Sequence, residues 1–196
     1  MYTQDQWLLQ DLLQFYQNQD YLEKFKKIIN REYYIENTSK ILSIRIIYWF
    51  VTNFAKQHFT CYDLPVDNDN TKRFLVWENY KLTESSYSKQ LFDAYCRHDR
   101  VLIPYRENNQ LETTIAQMHF FKWVFVNKII EYIENKYDSI EKDMNVRLNT
   151  VKRKPAIESD GTKTRKKREE LSMNACKSLR KEVRSVKMTF WYIQLS

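Results

Sequence analysis

Thr114-Ile115-Ala116-Gln117-Met118-His119-Phe120-Phe121-Lys122-Trp123-Val124-Phe125 is the stretch on which the fold turns. Thr114 followed three residues later by Gln117 makes a capping box. The threonine hydroxyl accepts from the backbone at Gln117 while the amide side chain reaches back. The pattern predicts a long helix from Ile115 to about Asn135. Met118, Phe121, Phe125 and Ile129 lie along one side of it, and Phe120, Trp123, Val124 and Ile130 crowd beside them. A helix apolar over so much of its circumference belongs at the centre of a core. Asp138 with Glu141 predicts that helix restarts or continues toward Leu148.

Upstream, Thr3 caps a helix over 4–17 with Trp7, Leu8, Leu12 and Phe15 on one face. Asp20 with Glu23 opens a second, to about Asn30, whose core face is Leu22, Phe25, Ile28 and Ile29. Tyr33 to Ile35 has the composition of a short strand. Ser43 caps a third helix over 44–56, in which Ile47, Phe50, Val51 and Phe54 stand at i, i+3, i+4 and i+7. Residues 58–72 are polar and contain Pro65, which predicts a loop. Phe74 to Trp77 predicts a short strand, and a helix follows from Ser85 or Ser88 to Tyr95. Pro104 and the pair Asn108-Asn109 predict another loop.

The charge is unevenly spread. Between Arg147 and Lys187 stand 14 Lys or Arg against 5 Asp or Glu, whereas the remainder holds 18 against 20, for a net +7 overall. A nearly neutral, aromatic-rich body joined to a basic arm points to a polyanionic partner. Lys152-Arg153-Lys154 and Arg165-Lys166-Lys167-Arg168 flank a spacer from Pro155 to Thr164. Such a run neutralises backbone phosphates by releasing counterions, with little choice of sequence. It also has the form of a bipartite nuclear-import signal. From Thr150 to Arg168 few residues are apolar, so the segment reads as a linker or arm. A short helix is predicted over Leu171 to Arg180. Val186, Met188 and Phe190 alternate with Lys187 and Thr189, which predicts a strand that brings the chain back to the body.

Glycine is scarcer still: Gly161, inside the arm, stands alone. A backbone that passes close to a phosphate or takes positive φ normally needs glycine. Walker loops, dinucleotide fingerprints, kinase glycine loops and the nucleophile elbow of α/β hydrolases all need more than one, so none can be built here. No stretch approaches 18 uncharged apolar residues, and the start has no basic region before an apolar run, so neither a membrane span nor a signal peptide is expected. Cys61, Cys96 and Cys176 are odd in number and widely spaced, and read as free thiols in a reducing compartment.

Other constellations are weaker. His58-x-x-Cys61 and Cys96-x-His98 together would supply four zinc ligands, but the second spacing is too short for the usual pattern and scattered Cys and His are most often bystanders. Asp67, Asp69 and Glu78 fit positions 1, 3 and 12 of a calcium loop, yet Lys72 stands where the turn needs glycine. His119 reads as a buried, hydrogen-bonded core residue. Glu131 and Glu134, alternating with Lys128 and Lys136, read as a solvated helix face. No metal and no cofactor are expected.

Three blocks carry a resemblance: Ile41-Leu42-Ser43-Ile44-Arg45-Ile46-Ile47-Tyr48-Trp49-Phe50-Val51-Thr52-Asn53, then Tyr87-Ser88-Lys89-Gln90-Leu91-Phe92-Asp93-Ala94-Tyr95-Cys96-Arg97, then Thr113-Thr114-Ile115-Ala116-Gln117-Met118-His119-Phe120-Phe121-Lys122-Trp123. They resemble an uncharacterised protein family of large nucleocytoplasmic DNA viruses, over most of the chain from about Asn30. The resemblance implies a viral origin, and a place in the virion or in the cytoplasm or nucleus of the infected cell. His58, Cys61 and His98 lie outside that pattern.

The expected fold is α+β, a helix-dominated single domain with a small sheet of short strands and a basic arm. The body is expected over 1–149, the arm or loop over 150–182, and the returning strand over 183–196. The expected function is non-enzymatic binding of nucleic acid through Lys152, Arg153, Lys154, Arg165, Lys166, Lys167 and Arg168. The alternative is a virion structural protein, a minor capsid component whose basic arm contacts acidic surfaces of neighbouring subunits.

Overall fold

Helix α6 (Ile115–Val126) is walled in on nearly every side. Of its twelve residues, nine are buried, and Phe120, Phe121, Met118 and Val124 have no exposure at all. Thr114 caps it as its sequence requires, its hydroxyl accepting from the Gln117 backbone at 3.1 Å. A helix without a polar face leaves no side for solvent, so other elements must enclose it. The computed structural model describes residues 4–36, 38–67, 70–105, 109–153 and 183–185. Within them the fold is α+β and dominated by helices, with two small sheets.

The long helix predicted through Asn135 is two helices. Asn127 ends α6, and Lys128 takes φ 52 before α7 (Ile129–Arg153) begins. The Asn127 side chain donates to the Trp123 carbonyl at 2.7 Å, and its own carbonyl accepts from Tyr62 Oη at 2.7 Å. The break lets α7 turn back with a one-sided stripe, Ile129, Ile130, Ile133, Tyr137, Ile140 and Met144, all buried. Continuing straight would have carried that stripe away from the core.

Helices α1 (Gln4–Phe15) and α2 (Gln19–Ile29) cover another side. Tyr16 Oη donates to the Met118 carbonyl at 2.9 Å, and Phe25 meets Phe121 at 5.1 Å between ring centres. Trp7 is 61% exposed, while Tyr16 is fully buried, so the inward face of α1 is centred on Leu8, Leu12 and Tyr16. The α2 cap is Asn18, whose side chain accepts from Asp20 N, two residues earlier than the predicted cap at Asp20.

Helix α3 (Ile44–Trp49) is capped by Ser43 and runs into a π-helical turn, Phe50–Phe54, and a short α4 (Ala55–Gln57). The wider turn, in which Ala55 N–H reaches back to the Phe50 carbonyl, keeps Ile46, Ile47, Phe50, Val51, Phe54 and Ala55 all inward. Tyr33 to Ile35 forms no strand, only a single bridge between Tyr34 and Ile41.

Both predicted loops are hairpins. Strands β1 (Cys61–Asp67) and β2 (Asn70–Leu75) pair antiparallel, with an irregularity between Pro65 and Asp67. Tyr62 and Leu64 are half-buried between exposed Cys61, Asp63 and Pro65, so a period-2 pattern was there beneath the polar composition. Pro65 is tolerated because a two-stranded sheet is all edge. Leu75 leads straight into α5 (Val76–Leu91), which begins well before Ser85, so the predicted strand Phe74 to Trp77 is half strand and half helix.

Strands β3 (Arg100–Tyr105) and β4 (Asn109–Thr114) form the second hairpin. Val101, Ile103 and Tyr105 face the core. Strand β5 (Val183–Ser185) pairs parallel with Arg100–Leu102 on the other edge of β3. Pro104 lies beyond that pairing, opposite Gln110 of β4. The predicted alternation of Val186, Met188 and Phe190, and the predicted helix over Leu171 to Arg180, lie outside the described residues. No helix among the described residues is long and apolar enough to cross a membrane.

His119 is 9% exposed, edge-on to Tyr87 and Phe92, with Nδ1 2.9 Å from the Leu91 carbonyl. A carbonyl only accepts, so Nδ1 carries the proton. Burial holds the imidazole below its usual pKa range. The Leu91 hydrogen bond opposes this, Lys122 adds to it and Asp11 opposes it more weakly. The folded state therefore binds this proton less tightly than the unfolded chain does. The stability it brings is fully present above the unfolded pKa of about 6.5 and is lost as pH falls from there through the lower folded pKa.

With glycine absent from the described residues, positive φ falls on Arg31 (62°), Phe59 (46°), Asp99 (51°) and Lys128 (52°). At Arg31 and Phe59 the bonds Glu32 N–H to Lys27 O (2.7 Å) and Thr60 N–H to Ala55 O (3.0 Å) are those of a Schellman ending, whose left-handed residue is usually glycine.

Three outcomes are expected from urea unfolding. Phe121→Ala will cost about 3–5 kcal/mol. His119→Gln will flatten the loss of stability that the wild type shows between pH 7.5 and pH 5. Arg31→Gly and Lys128→Gly will each add about 0.5–1 kcal/mol, since the left-handed penalty exceeds the chain entropy that glycine costs.

Candidate nucleic-acid interface

Of the seven predicted arm residues, Lys152 and Arg153 end α7, while Lys154, Arg165, Lys166, Lys167 and Arg168 lie outside the described residues. What the structure describes is the surface that leads to them. Helix α7 carries five acidic residues up to Asp143 and none after it. From Met144 the next acid in the chain is Glu158, and the charges between are Arg147, Lys152, Arg153 and Lys154. The helix thus changes sign along its length, with cations at the C-terminal end that its dipole favours.

Beside this helix runs an open groove of about 720 Å³. One wall is Phe54 and the segment His58 to Cys61, on either side of α4, and the other is α7 from Tyr132 to Val146. Three backbone irregularities meet there: the π turn at Phe50–Phe54, the left-handed Phe59, and a kink in α7 at Lys136 (φ −123, ψ 17). Its wall is backed by stacked rings. Tyr62 lies 5.3 Å from Tyr132 at 19°, Tyr132 lies 5.2 Å from Phe50 at 29°, and Phe54 lies 4.2 Å from His58. Burial pushes the Tyr62 phenol well above its usual range, so it stays a neutral donor.

The groove is weakly cationic. Asp143 Oδ1 accepts from Arg147 Nε and Oδ2 from Trp49 Nε1, both at 2.9 Å, so its charge is balanced within the fold. Lys136 and Lys142 are exposed and form no ion pair among the described residues. Asp138, on the same helix, is engaged by Lys40. Phe59 stands 82% exposed at the rim. Sequence reading passed over this groove because its parts are scattered between residues 50 and 146, and nothing in the local pattern marks Phe59 as left-handed.

The weaker constellations do not assemble. His58 and Cys61 line the groove, whereas Cys96 Sγ lies 3.7 Å from the His98 carbonyl in the loop before β3. Among the described residues no three His, Cys, Asp or Glu side chains gather closely enough to hold a metal ion. Asp67 ends β1 and Glu78 sits in α5, on either side of a hairpin, and Asp69 lies outside the described residues. Glu134 accepts from Tyr33 Oη at 2.9 Å, while Glu131 is exposed. Cys61 and Cys96 are free thiols.

Comparison with known proteins gives kinship without an activity. The uncharacterized protein L507 of Acanthamoeba polyphaga mimivirus is 38% identical over 129 residues, which is 63% of this chain and 47% of that protein. The chain thus spans about half the length of that relative, whose viral source agrees with the resemblance carried by the three blocks. No solved structure matches the chain. Residues 2–189, nearly the whole sequence, match the family of unknown function DUF7197, and the chain belongs to that family.

Proposed function

We propose that this protein binds nucleic acid without acting on it chemically, through the basic segment that begins on the last turns of α7 and continues through Lys154 to Arg168. The observation that carries this reading is the change of sign along α7. A helix anchored in the core by Ile133, Ile140 and Met144 ends within an unbroken run of cations in the sequence, Arg147, Lys152, Arg153 and Lys154. Cations spaced along a chain gain affinity for a phosphate backbone by displacing its condensed counterions. The scarcity of glycine, with Gly161 alone in the sequence, leaves no phosphate-cradling loop and supports binding rather than turnover. A viral genome or transcript in the virion or the infected cell fits the same reading.

The test is affinity for a labelled DNA or RNA as a function of salt. The wild type is expected to lose about 10³–10⁵-fold between 50 and 200 mM salt if six or more phosphates are contacted. Replacing Lys152, Arg153, Lys154, Arg165, Lys166, Lys167 and Arg168 by Gln should abolish binding at moderate salt and flatten the slope. Binding that survives both the substitutions and the salt overturns the proposal.

A further inference from the structure

We infer that the groove beside α7 takes an unpaired base, so that the nucleic acid bound is single-stranded, with a base stacked on Phe59 and the adjoining phosphates at Lys136 and Lys142. The inference rests on the nucleic-acid reading above and adds the form of the ligand and the residues that select it.

Phe59 is the starting point. It holds the left-handed position of a Schellman ending, where glycine is the residue without a steric penalty. Its side chain is 82% exposed and pairs with no other ring among the described residues. A phenyl ring here thus opposes the fold twice, through its backbone and through its contact with water. A bulky residue kept in a disfavoured conformation at a groove mouth points to a ligand.

The chemistry around the ring narrows the ligand. Lys136 and Lys142 face the groove from α7 without ion-pair partners among the described residues, and the acid beside them, Asp143, is already neutralised by Arg147. An anionic chain is favoured over an apolar peptide. The Phe54–His58 pair behind Phe59 stiffens the wall, and the α7 cations continue from the groove to Lys152 and Arg153. A flat ring beside a line of cations is the arrangement that holds single strands, because every base has a face to stack and each nucleotide one charge to neutralise. In a duplex those faces are covered by neighbouring bases.

The experiment uses the full chain and fluorescence anisotropy with a labelled oligo-dT single strand and a duplex of equal length. Phe59→Gly relieves the left-handed backbone, so this variant should unfold at the same or a higher temperature than the wild type. It should bind the single strand about 5- to 150-fold more weakly, the loss expected for one stacked base. Duplex affinity should change less than about 2-fold and the salt slope should not move, since no phosphate contact is removed. Phe59→Tyr should keep wild-type affinity, and Lys136→Gln with Lys142→Gln should lower the slope. The inference is overturned if Phe59→Gly binds the single strand as the wild type does, if both forms of DNA are lost equally, or if Phe59→Leu binds as well as Phe59→Tyr. The last result would mark an apolar protein contact instead. If the wild type binds neither form at low salt, the basic-segment reading falls as well. If the arm substitutions abolish binding while Phe59→Gly does not, the stacking alone is rejected.

Discussion

Everything in this fold answers to one constraint: α6 has no side it can show to water. Leu12 and Tyr16 below it, Phe25 and Phe92 beside it, and Ile129 and Ile133 beyond the break exist as buried residues because α6 must be enclosed. Burial of nine of its twelve side chains supplies the apolar area around which the domain condenses. The break at Lys128 follows from the same demand, since α7 with a single apolar stripe is useful only if it folds back. The polar atoms inside are paired: Trp123 Nε1 donates to Asn79 Oδ1 at 2.7 Å, and Gln117 Nε2 to the Ala94 carbonyl at 3.0 Å.

The helices were legible because their signals are local. The Thr114 cap, the Ser43 cap and the i, i+3, i+4 spacing from Ile47 need only a dozen residues of context. The hairpins were not, for an equally physical reason. β1, in a two-stranded sheet, and β3, between β4 and β5, each contain proline, so composition argued for loops while the alternation at Tyr62 and Leu64, or at Val101, Ile103 and Tyr105, pointed to strands. The break after Val126 was hidden too. Asn127 and Lys128 are unremarkable in a helix, and only the return of α7 to the core requires the left-handed turn.

The groove shows the same division more sharply. The basic run was plain from charge alone, and the structure describes only its beginning on α7. Phe59, Tyr132, Lys136 and Lys142 are brought together by tertiary structure, across more than eighty residues of chain. Their sequence neighbourhoods are ordinary. What distinguishes Phe59 is a backbone angle and an exposure, and neither is written in the identity of its neighbours. The scarcity of glycine, which served first to exclude whole classes of chemistry, also places ordinary residues at strained turn positions, and one of those positions opens on the groove.

The bond from Tyr16 to the Met118 carbonyl spans 102 residues, and the Phe25–Phe121 contact spans nearly as many. During synthesis the first two helices therefore emerge well before the surface they are made to cover. Until α6 has left the ribosome, Tyr16 and Phe25 lack the partners on it, Met118 and Phe121, that complete their burial. Local helix formation is fast, but docking waits on translation, which at about 5–20 residues per second takes several seconds for that interval. These two helices are thus born held in suspense, open to chaperones and to one another, and the molecule becomes a domain only when its most apolar helix arrives.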